Sequence, residues 1–209
     1  MLFRFLILFF VFCICALIYP IEFFYQYDVN VILFFEEIRS PFLNKVFMFI
    51  TDIGSIKYTL PICIVFSALF YYKKRKVLDI IMLVIIFYSV RKLNVVLKDL
   101  FVRDRPSFQF VYEESHYSFP SGHAMNSTAI YGFICFIILN HFSGNGNHRN
   151  TLLISTIILV GIIGISRIYL GVHYISDVIA GISAGLMLLI VITLIHSKLI
   201  LFFDKNRRY

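Results

Sequence analysis

Long apolar runs alternate with short polar ones along this 209-residue chain. The apolar stretches cover residues 2–19, 56–72, 77–97, 124–141, 152–170 and 175–195. Each approaches the roughly 20 residues that carry a helix through a bilayer. The pattern predicts an all-α, polytopic membrane bundle of about six transmembrane helices. Residues 21–55 read differently. Val29, Ile32, Leu33 and Phe35 precede Glu36, Glu37 and Arg39; Phe42, Val46, Phe47 and Phe49 follow, and Pro41 divides the segment. That mixture predicts short amphipathic helices lying in the membrane interface. They would serve as a lid or lipid-access rim, or as a connector held against the bilayer.

Composition supports a membrane protein. The chain is 60% hydrophobic with 15% charged residues, against about 25% charged in soluble domains, and its mean hydropathy is +0.86. One domain over residues 1–209 is the simplest organisation. The net charge of +7 does not call for nucleic acid, because the cations follow topology. Arg4, Lys73, Lys74, Arg75, Lys76, Arg149, Lys205, Arg207 and Arg208 fall at one set of span ends. Glu22, Asp28, Glu36, Glu37, Asp52, Asp99, Asp104, Glu113 and Glu114 fall at the other. The positive-inside rule then predicts a multi-pass cell-membrane protein with both termini cytoplasmic. The first apolar run resembles a signal peptide but lacks a small-x-small cleavage site around Ala16, so it reads as an uncleaved span. Cys13, Cys15, Cys63 and Cys135 sit in apolar runs without zinc-like spacing and read as packing residues.

Three polar segments interrupt this pattern, and all fall on the predicted outer face. The first is Lys98 with Arg105-Pro106; the second is Pro120-Ser121-Gly122-His123; the third is Ser166-Arg167 with His173 and Asp177. Ionisable groups near membrane depth are costly, about +2.5 to +3.5 kcal/mol at a helix centre, so their presence asks for a reason. His173 and Asp177 are four apart, which on a helix places them on one face. A carboxylate on one imidazole nitrogen fixes the tautomer and raises the basicity of the other. Gly171 offers a break that lets Arg167 close one helix while His173 opens the next. Ser121 is a natural N-cap, Gly122 lets a ligand approach the backbone, and a helix N-terminus is a ready anion site. His123 stands at that rim, placed to donate a proton. Lys98, Arg105 and Arg167 supply three cations for one phosphate. Arg91, seven residues before Lys98, lies nearly on the same helix face. It would reach a second phosphate or a polar partner. Arg103, Asp104, Glu113, Glu114 and His116 read by default as a solvated loop, with shaping of head-group selectivity as the alternative.

The three segments resemble the signature of the type 2 phosphatidic acid phosphatase superfamily, K-x6-RP, PSGH and SR-x5-H-x3-D. Here they read K-DLFVRD-RP, PSGH and SR-IYLGV-H-YIS-D, spanning residues 98–177. The resemblance implies that His173 attacks phosphorus to form a phosphohistidine and that Asp177 orients it. His123 would protonate the leaving oxygen and then activate water. Lys98, Arg105, Ser121, Gly122 and Arg167 would hold the phosphate, and no metal or other cofactor is needed. The implied substrates are membrane lipid phosphates or diphosphates at the extracytoplasmic face: undecaprenyl diphosphate, phosphatidylglycerol phosphate, phosphatidic acid or diacylglycerol pyrophosphate. The alternatives are a lipid phosphotransferase using the same phosphohistidine, and a transporter or membrane scaffold.

Overall fold

The structure is a computed structural model that describes residues 1–74, 76–107, 110–112, 114, 116–141 and 146–206, with backbone alone at 74 and 204–206. Arg75, Glu113, Arg207 and Arg208, and the side chains of Lys74 and Lys205, lie outside the described residues.

Eight helices account for the described chain: α1 (Leu2–Ile18), α2 (Glu22–Glu37), α3 (Pro41–Gly54), α4 (Ile56–Lys74), α5 (Val77–Phe101), α6 (Gly122–His141), α7 (Gly146–Tyr169) and α8 (Ile175–Asn206). The six expected spans correspond to α1 and α4 through α8. By length and apolarity α5, α6, α7 and Ile175–Phe203 of α8 each suffice to cross a membrane. The pairs α1–α2 and α3–α4 also qualify when each is taken together, bent by 96° and 50°. The 96° bend matters, because α2 cannot prolong the path of α1 and must run across the end of the bundle.

The apolar core lies where α6 packs against α5, α7 and α8, with α1 closing on α8. Met82, Leu83, Ile86 and Val90 of α5 meet Ile130, Phe133 and Ile137 of α6 and Ile192 of α8. Lipid-sized side chains face outward on the same helices, including Ile85, Tyr88, Ile157 and Phe202. Without a hydrophobic drive between helices in lipid, close approach comes from small residues. A Cβ at Gly181 would sit 2.6 Å from the Ser121 carbonyl oxygen, and one at Gly185 would sit 2.7 Å from that of Met125. These two glycines, one turn apart on α8, seat the start of α6 directly against it.

The segment before α4 departs from expectation. Ser40 caps α3, accepting from the Leu43 N–H at 3.3 Å, with Pro41 in the first turn. Yet α3 is more than an interfacial connector. It packs on α7 and touches α6, and the Tyr131 hydroxyl donates to the Ile53 carbonyl at 2.6 Å. Its stripe of Leu43 and Phe47 covers Tyr169 and Leu170. The amphipathic pattern was legible, but its apolar face pays for docking onto protein as well as lipid.

Candidate active site

The site lies at the bundle end where α5 and α7 finish and α6 and α8 begin. Four local devices build it. Val102 closes α5 in the left-handed region (φ 47°), its N–H donating to the Lys98 carbonyl at 3.0 Å. That turn sends the chain from Lys98 into Arg103 and Arg105. Gly171 (φ 74°) ends α7, and the Arg167 carbonyl accepts from Val172 at 3.2 Å and from His173 at 3.3 Å. Only a residue without Cβ adopts this backbone freely. Asp177, third residue of α8, reaches back to accept the Tyr174 N–H at 2.9 Å, the reciprocal half of a capping box. The Asn94 amide donates to the Pro120 carbonyl at 3.1 Å, tying α5 to the start of α6.

All eight sequence-predicted residues converge here, with two differences of detail. His173 is not on a helix, since α8 starts at Ile175. Its pairing with Asp177 comes from the turn after Gly171, and Nδ1 stands 3.5 Å from Asp177 Oδ2. Ser118 sits beside both, its hydroxyl 3.3 Å from His173 Nδ1 and donating to Asp177 Oδ2 at 2.5 Å. The second difference is Ser121. It precedes α6 and its carbonyl accepts from Met125 at 3.0 Å, yet its buried hydroxyl bonds to nothing. It holds the cap position by backbone alone.

The cations gather as expected. Lys98 Nζ donates to the Tyr117 carbonyl. Arg105 donates to the Val172 carbonyl at 2.8 Å, and its Nη1 lies 3.3 Å from His173 Nε2. Arg167 is fully buried and donates to Thr51 Oγ1 of α3 at 2.5 Å. Gly122 packs so tightly that a Cβ would meet Asn94 Oδ1 at 2.8 Å.

In the loop before α6, Arg103 and Glu114 are drawn inward, whereas Asp104 and His116 are exposed as expected and Glu113 lies outside the described residues. Glu114 projects into the middle of the cations. Its Oε1 pairs with Arg167 and stands 3.8 Å from His123 Nδ1. Its Oε2 is 2.7 Å from Arg105 Nη2 and 3.9 Å from His173 Nε2. Burial would raise its pKa, but the fixed cations Arg167, Arg105 and Lys98 outweigh burial and hold it at about 2. His173 is pushed well below the ordinary imidazole value, first by burial and then by Arg105 and Arg167. At neutral pH it is therefore uncharged.

Arg103 is likewise buried. It joins Asp28 of α2 at 2.9 Å, Asp177 at 2.6 Å and the Ser176 hydroxyl at 2.7 Å. Its guanidinium is sandwiched by Tyr174 at 4.0 Å and Tyr19 at 4.7 Å. Burial alone would lower its pKa; Asp177 and Asp28 reverse that and hold it above the usual guanidinium value. Asp28 also accepts from the Ser176 N–H at 3.1 Å. Glu114, Arg103, Asp28, Thr51 and Ser118 were therefore missed as site residues. For Asp28 and Thr51 the available signal was polarity in an amphipathic segment, and for Arg103, Glu114 and Ser118 polarity in a loop; neither reveals a partner.

An all-helical membrane bundle with a buried, cation-lined oxyanion cradle between two imidazoles defines a membrane phosphatase. The chain belongs to the PAP2 superfamily, whose profile matches residues 76–201. It is 39% identical over 152 residues to phosphatidylglycerophosphatase B of Bacillus subtilis, covering 72% of this chain and 74% of that one. It is 29% identical over 181 residues to lipid A 4'-phosphatase of Porphyromonas gingivalis, covering 79% of this chain and 71% of that one. The crystal structure of a transmembrane PAP2-type phosphatidylglycerolphosphate phosphatase from Bacillus subtilis superposes with a TM-score of 0.90. It shares 32% sequence identity, over 94% of this chain and 97% of that one. Asp28 and Thr51 lie outside the matched profile region, although they feed the same site.

Proposed function

We propose that this protein hydrolyses terminal phosphates of membrane lipid phosphates or diphosphates through a phosphohistidine on His173. The supporting observation is the seat of Glu114, an oxyanion held by two arginines with an imidazole on either side. A phosphate displacing that carboxylate meets Arg105 and Arg167 in the same place, in a cleft that Lys98 and Gly122 also line.

The chemistry follows from which ring nitrogen faces where. His173 Nδ1 lies against Asp177 and Ser118, so a proton there leaves the lone pair on Nε2, toward the cleft. Burial keeps that lone pair unprotonated at neutral pH. Nε2 bonds to phosphorus as the phosphorus–oxygen bond to the leaving group breaks. His123 gives that oxygen its proton. Water then attacks phosphorus, His123 takes its proton, and the nitrogen–phosphorus bond breaks to release phosphate. Asp177 compensates the charge on His173 in both steps. Side-chain cations supply the electrostatics, so the reading requires no metal.

The active site faces outward. It lies at the opposite bundle end from Lys73, Lys76 and Arg149, and the positive-inside rule puts those in the cytoplasm with both termini. Membership of a phosphatase family argues for an enzyme over a transporter or scaffold.

The test is phosphate release by purified protein in detergent with chelator present. The panel is undecaprenyl diphosphate, phosphatidylglycerol phosphate, phosphatidic acid and diacylglycerol pyrophosphate. Release is expected from at least one, with His173→Ala reducing it by about 10³-fold or more while the protein stays folded. No release from any lipid, or full activity in His173→Ala, overturns the reading.

A further inference from the structure

The cleft that holds the phosphate cradle does not stop there. Its volume is about 760 Å³, near the upper part of the roughly 300–1,000 Å³ range of small-molecule sites. Beyond Lys98 and His123 its wall continues through Asn94, Arg91 and Asn126, with Lys57 and Asp52 also lining it. None of these has a part in the phosphohistidine chemistry.

Two helices give this extension its direction. Arg91, Asn94 and Lys98 recur at three- and four-residue spacing, so they share one face of α5. Arg91 then stands about 10.5 Å from Lys98 along the helix axis, toward the bilayer midplane. His123 and Asn126 share a face of α6, with Asn126 one turn farther from the helix start. From the scissile phosphate, past the proton donor, the cleft therefore leads to Arg91 and Asn126.

Arg91 is unusual in having no counter-ion. Its Nη2 donates to Thr59 Oγ1 of α4 at 3.0 Å and its guanidinium lies 4.3 Å from the Phe87 ring centre. Its Nε is buried without a hydrogen-bond partner, as is Asn126 Oδ1. Among the described residues no carboxylate pairs with Arg91. The cleft as a whole carries Lys57, Arg91, Lys98, Arg105 and Arg167 against Asp52 and Glu114, and Asp52 already faces Lys57 at 3.5 Å. An unpaired arginine inside a membrane helix is costly and marks a ligand path more readily than a tether.

We propose that Arg91, with Asn126, forms a second anion subsite that takes the phosphate lying next to the scissile one on the tail side of the lipid. The inference rests on the phosphatase reading above and narrows its substrate class. A lipid is held by its tails, so its terminal phosphate lies farthest out and any second phosphate lies nearer the midplane. That order matches Lys98 followed by Arg91. A prenyl diphosphate and a phosphatidylglycerol phosphate both present a second phosphate on that side. Phosphatidic acid has none and leaves Arg91 unpaired. The asparagine amide turns its NH₂ to whichever anion is offered.

The experiment compares kcat/KM of the parent, Arg91→Gln, Arg91→Lys and Thr59→Val on three lipids in detergent: undecaprenyl diphosphate, phosphatidylglycerol phosphate and phosphatidic acid. The quantity read is kcat/KM for each two-phosphate lipid divided by that for phosphatidic acid. Arg91→Gln is expected to lower at least one ratio about tenfold or more, as loss of a charge-assisted hydrogen bond does. Arg91→Lys should recover part of it. Thr59→Val removes the contact with α4 but keeps the cation, and should leave the ratios in place. A ratio lost for the diphosphate alone assigns the subsite to a directly bonded phosphate; one lost for the glycerol-linked lipid alone assigns it to a phosphodiester. Parallel loss on all three lipids in Arg91→Gln makes Arg91 structural and overturns the proposal. A parent inactive on all three fails the phosphatase reading itself, a result distinct from an unchanged ratio.

Discussion

Among the described residues, two polar clusters are buried in this bundle, one at each end, and they are built on opposite principles. At the end away from the active site, Asp79 of α5 meets His196 of α8 at 2.7 Å and His141 of α6 at 3.2 Å. Aromatic rings pack around it: Phe70 beside His141, and Phe133 and Phe136 edge-on to His196. One carboxylate is answered by two imidazoles, although His196 Nδ1 and His141 Nε2 make no hydrogen bond of their own. At the active-site end the cations outnumber the carboxylates, a cleft opens among them, and a loop carboxylate fills the centre. Burial of charge is common to both and so does not mark function. Surplus charge of one sign, beside accessible space, does.

Within the active-site end the comparison also separates scaffold from reagent. Arg103 is paired with Asp28 and Asp177, which are buried with it, whereas the anion that Arg105 and Arg167 share is Glu114, a loop carboxylate. Arg103→Gln would strand two buried carboxylates and is expected to cost about 3–5 kcal/mol of stability. Thermal unfolding in detergent would read this, and an unchanged midpoint would erase the distinction. The matching change at the other end, Asp79→Asn, should cost less, about 1–3 kcal/mol. It should also leave kcat/KM within about twofold, because that cluster is remote from the chemistry. A large loss of activity at unchanged stability would break the contrast between the two ends.

Glu114 supplies a finer test. Glu114→Gln removes the anion that occupies the cradle, so inorganic phosphate should inhibit the variant several-fold more tightly than the parent. The same change acts on pH dependence. The acid limb of kcat/KM reports the free enzyme, and His173 titrates well below the usual imidazole value of about 6.5. Glu114 partly offsets that depression, so removing it should move the acid limb lower still. Glu114 itself, with a pKa of about 2, stays ionised across the assay range. Its share of stability is present above the ordinary carboxylate range and is lost as pH falls toward about 2. An acid limb that moves upward in Glu114→Gln would refute this electrostatic picture.

The smallest effect belongs to the turn that aims these groups. Val102 is β-branched, half exposed and left-handed, a conformation that costs L-residues about 1–2 kcal/mol. Val102→Gly should relieve about 1 kcal/mol and raise the unfolding midpoint slightly. A lower midpoint would show that the exposed side chain matters more than the strain.

Much of this is legible in the sequence, for a physical reason. Membrane spans announce themselves by length and apolarity; the assignments at α5 through α8 followed from that alone, while α1 and α4 qualify only together with α2 and α3. Lys98, Arg105, His123, Arg167, His173 and Asp177 stand out because ionisable groups near apolar runs are expensive and because their spacing repeats a family signature. Glu114, Arg103, Asp28 and Thr51 offered no such contrast. They sit in polar surroundings where a charge is unremarkable, and their partners lie far along the chain: Arg103 and Asp28 are 75 residues apart, Arg167 and Thr51 are 116 apart. Periodicity reports which face a residue occupies, but not what the rest of the chain brings to that face. The same limit applies to His173, whose four-residue spacing to Asp177 fitted a helix although a glycine turn produces it.

The Asp28–Arg103–Asp177 chain has a consequence for how the protein is made. The three residues come from the first, middle and last parts of the sequence, and synthesis delivers them in that order. Until α8 emerges, Arg103 has only one of its two carboxylates, and Asp177, Ser176 and the turn bearing His173 do not yet exist. A nascent chain can thus insert most of its helices while its reactive centre stays unassembled. The turn bearing His173 and its partner Asp177 take their place only as α8 docks against α1 and α6.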